Sequence, residues 1–188
     1  EGTATITVQL NDRRQTVPVE VAGRQQPPPV SFRHEVLPIL TKAGCNSGGC
    51  HGKAEGQNGF QLSIFGFDPV ADHDALVKQS RGRRVALATP ASSLLLQKAT
   101  GKMPHGGGAR IEANSIWSRR LLRWISEGAR LDGDEGTRIE SIEVTPPEVV
   151  MQPDSHQQIQ VTAIDTKGQR RCVTAEAEFR SNAESIAG

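Results

Sequence analysis

The sequence predicts a mainly α-helical domain set between two all-β segments, and three observations support this fold class. Apolar and polar residues alternate in residues 1–23 and again in 138–188, which is typical of strands. Apolar residues recur at helical spacing in residues 31–131. Residues 24–30 contain three consecutive prolines, which favour a stiff, extended linker before the helical segment.

The N-terminal segment is predicted to form a two-stranded hairpin. The residues that alternate along its strands are Ala4, Ile6, Val8 and Leu10, then Val17, Val19 and Val21. Asn11 and Asp12 between them are typical turn residues. A lone hairpin is barely stable in water, so we expect this one to need a partner sheet.

The middle segment is predicted to hold four short helices. The first follows Ser31, an N-capping residue type, and Pro38 is expected to kink or end it. The second begins at Asp68, which precedes a proline, and the third covers residues 90–99. The fourth, residues 114–128, has the strongest pattern, because its apolar residues form one stripe. That stripe consists of Trp117, Leu121, Trp124, Ile125 and Gly128.

The C-terminal segment is predicted to return to β structure. Strands are expected from Ile139, over residues 158–165, from Cys172 and over residues 177–181, with a turn before Gly168. The thiol of Cys172 has no obvious partner in the sequence, and we interpret it as a small, half-buried strand residue.

The most informative motif lies at residues 45–51, with the sequence CNSGGCH. Two thiols followed at once by an imidazole is the pattern that attaches haem c. Both cysteines bind the porphyrin as thioethers, and the histidine takes one axial position on the iron. The motif therefore predicts Cys45 and Cys50 as attachment sites for one covalent haem, with His51 as the proximal iron ligand.

The spacing of this motif departs from the usual pattern. Four residues separate the cysteines instead of two, so the additional residues are expected to bulge away from the porphyrin edge. Gly48 and Gly49 are expected to supply that bulge, because glycine reaches backbone angles closed to other residues. Asn46 also tolerates left-handed geometry.

Two residues compete for the second axial position on the iron. Met103 and His105 both lie about 50 residues after His51, in the sequence KMPHGGG, and either side chain is a standard haem ligand. The prolines and glycines around them would let the backbone approach a porphyrin closely. From the residues alone, the two alternatives stay open.

Composition excludes several function classes. The 188 residues carry a formal net charge of +1, and the short cluster Arg81, Arg83 and Arg84 is interpreted as a solvated loop. Aromatic residues make up 4% of the chain, with no tyrosine, which argues against a stacking platform for RNA or carbohydrate. No run of about 18 apolar residues occurs, so no membrane span is expected. We therefore expect neither a nucleic-acid partner nor a transmembrane segment.

Residues 31–130 resemble the planctomycete-type cytochrome c domain in several separate blocks. The matching blocks are Phe32-Arg33, 36–40 (VLPIL), 43–52 (AGCNSGGCHG), 59–63 (GFQLS), 66–69 (GFDP), 104–108 (PHGGG) and 122–129 (LRWISEGA). The resemblance implies a cytochrome-c-like, class I-like helical domain with covalent haem. Its PHGGG block is characteristic of the family, and this favours His105 over Met103 as the distal ligand.

The flanking segments resemble parts of bacterial Ig-like domains of group 2. Residues 138–188, with IEVTP, QIQVTA and FRS, are similar to the opening strands of such a domain, and residues 1–23 to the closing strands of another. The resemblance implies that the two incomplete halves complement one another in an all-β Ig-like sandwich. That pairing is expected within one chain or, by self-association, between two chains.

The leading functional hypothesis is a haem domain for electron transfer or redox sensing within a larger exported protein, with an unknown redox partner protein. The domain itself is expected not to be an enzyme, and whether another part of the larger protein is enzymatic stays open. The resemblance implies a bacterial periplasmic location, since haem c is attached outside the cytoplasm. Two alternatives remain open. One is a structural zinc site formed by Cys45, Cys50, His51 and His105; the other is an Ig-like adhesion or spacer protein with a disulfide in the motif.

Overall fold

The computed structural model describes residues 1–23, 25, 27–133 and 138–186. Residues 24 and 26 of the predicted linker and the last two residues of the C-terminal segment lie outside these ranges. The strands are β1 (Gly2–Leu10), β2 (Arg13–Val21), β3 (Ile139–Thr145), β4 (Gln160–Asp165) and β5 (Arg170–Cys172). The α-helices are α1 (Leu37–Lys42), α2 (Pro69–Val77), α3 (Leu94–Ala99) and α4 (Ile116–Ser126). A π-helical turn, Phe32–Val36, precedes α1, and 3-10 turns lie at Ile64–Gly66, Gln79–Gly82 and Pro90–Ser92.

The predicted hairpin is present. Strands β1 and β2 pair antiparallel in a continuous register from Gly2 opposite Val21 to Leu10 opposite Arg13. The turn is made by Asn11 and Asp12, and Asn11 has a positive φ of 52°. The alternating apolar side chains remain open to solvent, with Leu10 74% exposed.

The C-terminal segment forms a separate sheet with the order β3-β4-β5, all antiparallel. Val161 and Ala163 on the central strand are buried, and Gly168 makes the turn between β4 and β5 with a φ of 74°. The fourth strand predicted over residues 177–181 does not form, because that stretch has no ladder partner among the described residues.

The predicted fold class is wrong in both of its parts. Helices make up only 26% of the structure and strands 20%, in two small sheets. The middle segment is not mainly α, because its helices are short and long turn-rich stretches such as 43–63 and 100–115 separate them. The N- and C-terminal segments do not build an Ig-like sandwich, because the described strands pair only with their sequence neighbours.

The hydrophobic core lies in the middle segment, where the π-helical turn, α1, α2 and α4 meet. The predicted stripe of α4 is confirmed: Leu121, Trp124 and Ile125 are almost fully buried, and Gly128 ends the helix with a φ of 98°. The Trp124 indole packs against Phe32, with ring centroids 5.4 Å apart. This core forms the frame to which the loops of the candidate site are attached.

The first helical stretch explains how the chain reaches the cysteine motif. The Ser31 hydroxyl accepts a hydrogen bond from the His34 amide at 2.9 Å, as expected of an N-cap. The chain runs as a π-helical turn up to Val36 and changes to α-helix at Leu37, with Pro38 in the first turn of α1. Pro38 therefore marks the change of helix type that the sequence predicted as a kink or an end.

Candidate functional site

One cavity brings together four of the five side chains that the sequence predicted to attach the haem or to ligate its iron. Cys45, Cys50, His51 and His105 line a space of about 690 Å³ between the cysteine loop, α3 and the PHGGG loop. Its other walls are largely apolar, with Leu40, Phe60, Leu62, Leu76, Leu94 and Leu95. A volume of this order, with an apolar wall and a few polar groups, is typical of a cofactor site.

The cysteine loop is closed by backbone hydrogen bonds. Gly44 turns the chain out of α1 with a φ of 72°, and the Cys45 amide donates to the Leu40 carbonyl at 2.9 Å. At the other end, the His51 amide donates to the Cys45 carbonyl at 3.0 Å. The first cysteine and the histidine are thereby held together before any ligand binds.

The predicted source of the bulge in this loop is wrong. Gly48, Gly49 and Asn46 all have negative φ, so none of them uses left-handed geometry. The tight position is Gly52 instead, where a Cβ would lie 2.1 Å from the Asn46 carbonyl oxygen. The loop accommodates its two additional residues by folding back onto itself, and only a residue without a side chain fits where it closes.

The thiols of the motif are both free in this structure. Burial raises the pKa of the Cys45 thiol to about 11, and the neighbouring Cys50 adds to the effect. Cys45 is therefore a neutral thiol at physiological pH. Arg110 lies beside the second thiol, with Nη2 3.8 Å from the Cys50 sulfur.

The two histidines are held in the same tautomer by backbone carbonyls. Nδ1 of His51 donates to the Phe60 carbonyl at 3.0 Å, and Nδ1 of His105 donates to the Gly108 carbonyl at 2.8 Å. A carbonyl oxygen can only accept, so the proton lies on Nδ1 in both rings and the lone pair on Nε2. Such a hydrogen bond is the usual way in which a protein orients a metal-binding imidazole.

The separation of the two rings is compatible with a shared metal. The His51 and His105 ring centroids are 6.2 Å apart, and their planes differ by 9°. A metal bonded at about 2 Å to one nitrogen of each imidazole would separate the centroids by about 6 Å, since each centroid lies about 1 Å behind its nitrogen. The spacing therefore leaves room for one metal ion between the rings.

The loop that carries His105 is attached to α3. The Arg110 amide donates to the Ala99 carbonyl at 2.8 Å, and Lys98 Nζ donates to the Pro104 carbonyl at 3.0 Å. Gly107 gives the imidazole its space, because a Cβ there would lie 3.1 Å from Cε1 of His105. Of the three glycines in the PHGGG sequence, Gly107 is therefore the one whose missing side chain leaves room for the His105 ring.

The alternative distal residue lies elsewhere. The Met103 amide donates to the Gln97 carbonyl at 3.0 Å, and the Met103 side chain is 43% exposed and does not line the cavity. The structure therefore brings His105, and not Met103, next to Cys45, Cys50 and His51.

Sequence reasoning missed the cationic part of the site. Arg83, Arg84, Lys98 and Arg110 line the cavity, and no aspartate or glutamate is among its lining residues. The sequence interpretation of Arg84 as part of a solvated loop is wrong, since the residue is only 4% exposed. Nothing in the sequence around Arg81, Arg83 and Arg84 indicates that Arg84 is buried while the other two are exposed.

The arrangement of the site does not support the two alternative functions, a structural zinc site and a spacer protein with a disulfide in the motif. Within the described ranges, no three His, Cys, Asp or Glu side chains are close enough together to hold a metal ion. Cys45, Cys50 and Cys172 are all unpaired.

Lowering the pH is expected to destabilise the haem-free protein. Burial lowers the pKa of His51, and the hydrogen bond to the Phe60 carbonyl only partly offsets this. The folded pKa lies below the unfolded value of about 6.5, so the unfolded chain takes up the proton first as the pH falls. The stability that neutral His51 contributes to the folded state is fully present above about pH 6.5 and is lost as the pH falls below that value.

Urea unfolding at a series of pH values measures this effect. The loss of stability below about pH 6.5 should be smaller in His51→Gln, whose side chain does not titrate. An identical pH dependence in both proteins would show that His51 does not contribute.

Comparison of the chain with protein-family models, curated proteins and solved structures gives no match. Among the described residues, no helix is long and apolar enough to cross a membrane.

Proposed function

We propose that this chain is a c-type cytochrome domain that carries one covalent haem c for electron transfer or redox sensing. Cys45 and Cys50 would form the thioethers, His51 would be the proximal iron ligand and His105 the distal one. The observation that carries the proposal is the pair of near-parallel imidazoles, 6.2 Å apart, with both Nε2 atoms available for a metal.

The lining of the cavity supports a porphyrin as the occupant. Haem is a flat apolar macrocycle with two carboxylates, so it needs apolar walls and cations at the edge. The leucines and Phe60 supply apolar walls, and Arg83, Lys98 and Arg110 supply cations without a competing carboxylate. The same lining does not suit a hydrated divalent cation, which would require carboxylate or carbonyl oxygens.

The role of the residues follows from this arrangement. Haem supplies one-electron chemistry when bound. His51 and His105 would both hold the iron, and a metal held by two protein side chains favours electron exchange over catalysis on a bound substrate. The apolar side chains would exclude water from a bound metal, and the carbonyls of Phe60 and Gly108 hold the two imidazoles in the tautomer that leaves Nε2 free to ligate.

The setting of the domain is part of the proposal. Haem c is attached outside the bacterial cytoplasm, so the chain would act in the periplasm as part of a larger exported protein, exchanging electrons with a partner protein. The resemblance of residues 31–130 to planctomycete-type cytochrome c domains supports the site assignment. The proposal depends on the site and not on the mainly α architecture expected from that resemblance.

A visible absorption spectrum of protein matured in a host with haem c attachment machinery tests the proposal. We expect an intense Soret band, with sharp α and β bands after reduction. A correctly matured protein that stays colourless would overturn it. Zinc analysis and thiol counting of the same colourless sample would then distinguish the zinc module from the disulfide-containing spacer.

A further inference from the structure

Arg84 is a buried arginine next to the candidate site. It is 4% exposed and lines the cavity. Within the described ranges, no carboxylate lies within 4.0 Å of its guanidinium. A buried charge without a partner of opposite sign is costly, so the position of Arg84 requires an explanation.

The guanidinium of Arg84 is fixed by oxygen atoms from three segments. Nη1 donates to the Ala75 carbonyl at 2.8 Å, at the end of α2. Nη2 donates to the Gly59 carbonyl at 2.8 Å and to the Ser80 hydroxyl at 3.1 Å. The arginine therefore links residues 59–60 to α2. Donating to all three oxygen atoms at once requires the planar, forked guanidinium group of arginine.

A chain of contacts leads from Arg84 to the proximal histidine. The guanidinium lies over the Phe60 ring, 4.4 Å from its centroid. The Phe60 ring in turn lies 4.4 Å from the His51 ring, and the Phe60 carbonyl accepts the Nδ1 proton of His51. Arg84 thus contacts both the ring of Phe60 and the carbonyl of the preceding residue, Gly59.

We propose that Arg84 is a positioning residue that fixes the orientation of His51 through Gly59 and Phe60, and that its charge raises the reduction potential of the site. This inference rests on the proposed haem function. Arg84 lies outside both sequence motifs that carry the proposed ligands, so the motifs alone do not indicate this role.

The sign of the electrostatic effect follows from charge balance. The ferric form carries one more positive charge than the ferrous form, so a nearby buried cation disfavours the ferric form. Because no described carboxylate lies within 4.0 Å of the Arg84 guanidinium, no close ion pair within the protein offsets its charge. Loss of the charge should therefore stabilise the ferric form and lower the potential.

Three variants of the haem-loaded protein separate the two roles. Arg84→Gln removes both the charge and the fork of donors, and Arg84→Lys keeps the charge but not the fork. Arg81→Gln is the matched control, since Arg81 belongs to the same basic cluster but is exposed and does not line the cavity. The measurements are the midpoint potential and the g-value spread of the ferric electron paramagnetic resonance spectrum, which depends on the orientation of the axial imidazoles.

For Arg84→Gln we expect a lower potential, by about tenfold in the ferric–ferrous equilibrium or about 59 mV for one electron, and an altered g-value spread. Arg84→Lys should alter the spread with less than half of that change in potential. Arg81→Gln should change neither. Far-ultraviolet circular dichroism checks folding, and if Arg84→Gln fails to fold, the comparison of Arg84→Lys with Arg81→Gln still decides the positioning role.

An unchanged g-value spread in the folded Arg84 variants would overturn the positioning role. A potential in Arg84→Gln equal to that of Arg81→Gln would overturn the electrostatic role. A wild-type protein without a Soret band would instead overturn the proposed function itself, so the two failures are distinguishable.

Discussion

Replacing His105 with alanine is expected to convert the iron of the haem-loaded protein from low spin to high spin. The substitution removes the distal imidazole and leaves His51 as the only axial ligand from the protein. The visible spectrum should lose its sharp reduced α and β bands, while the covalent attachment through Cys45 and Cys50 remains. The ferrous variant should also bind carbon monoxide rapidly, which the wild-type protein should not.

Met103→Ala is the matched control, because Met103 lies two residues away but outside the cavity. This variant should keep the low-spin spectrum. A ferric wild-type protein with the weak long-wavelength band of thioether ligation, abolished in Met103→Ala and retained in His105→Ala, would return the distal position to Met103.

Replacing both Cys45 and Cys50 with serine is expected to abolish covalent attachment completely. No other cysteine lines the cavity, so no thioether can form and any haem should be extracted by acidified organic solvent. Each single variant should keep one thioether and retain its haem under the same extraction. The two singles should also differ from the wild type in the position of the reduced α band, because a vinyl group remains on the porphyrin.

Cys172→Ser is the matched control for thiol loss. Cys172 is exposed and hydrogen-bonded to Thr174 in the C-terminal segment, away from the cavity. Its replacement should leave the haem covalently bound. Retention of haem after extraction of the double variant Cys45→Ser, Cys50→Ser would show that the attachment sites are assigned wrongly.

Local features of the structure could be predicted because neighbouring residues determine them. The hairpin follows from strict alternation and a two-residue turn, and α4 follows from its apolar stripe and its glycine end. The grouping of Cys45, Cys50 and His51 is equally local, because one short loop carries all three. The sequence could name His105 and Met103 as candidates for the second iron ligand only because imidazole and thioether groups are common haem ligands. The fold then places His105, and not Met103, in the cavity.

The features that could not be predicted depend on contacts between distant segments. Whether two sheets join into a sandwich is decided by long-range pairing, which alternation within each strand does not specify. The hairpin strands and β3 have the expected patterns, yet the described strands stay in two sheets. The burial of Arg84 likewise depends on carbonyls of Ala75 and Gly59, which any residue type would offer.

The closed turn at Gly52 has a consequence for how such a motif can change during evolution. A mutation there would force the carbonyl of Asn46 aside and displace the adjoining ligand, although the ligand itself stayed intact. Position 48 has open space around it and does not line the cavity, so it can vary without that penalty. Sequence diversity within the loop should therefore be greatest on the side that faces away from the cavity, and a search pattern for related chains gains more from the glycine after the histidine than from Gly48.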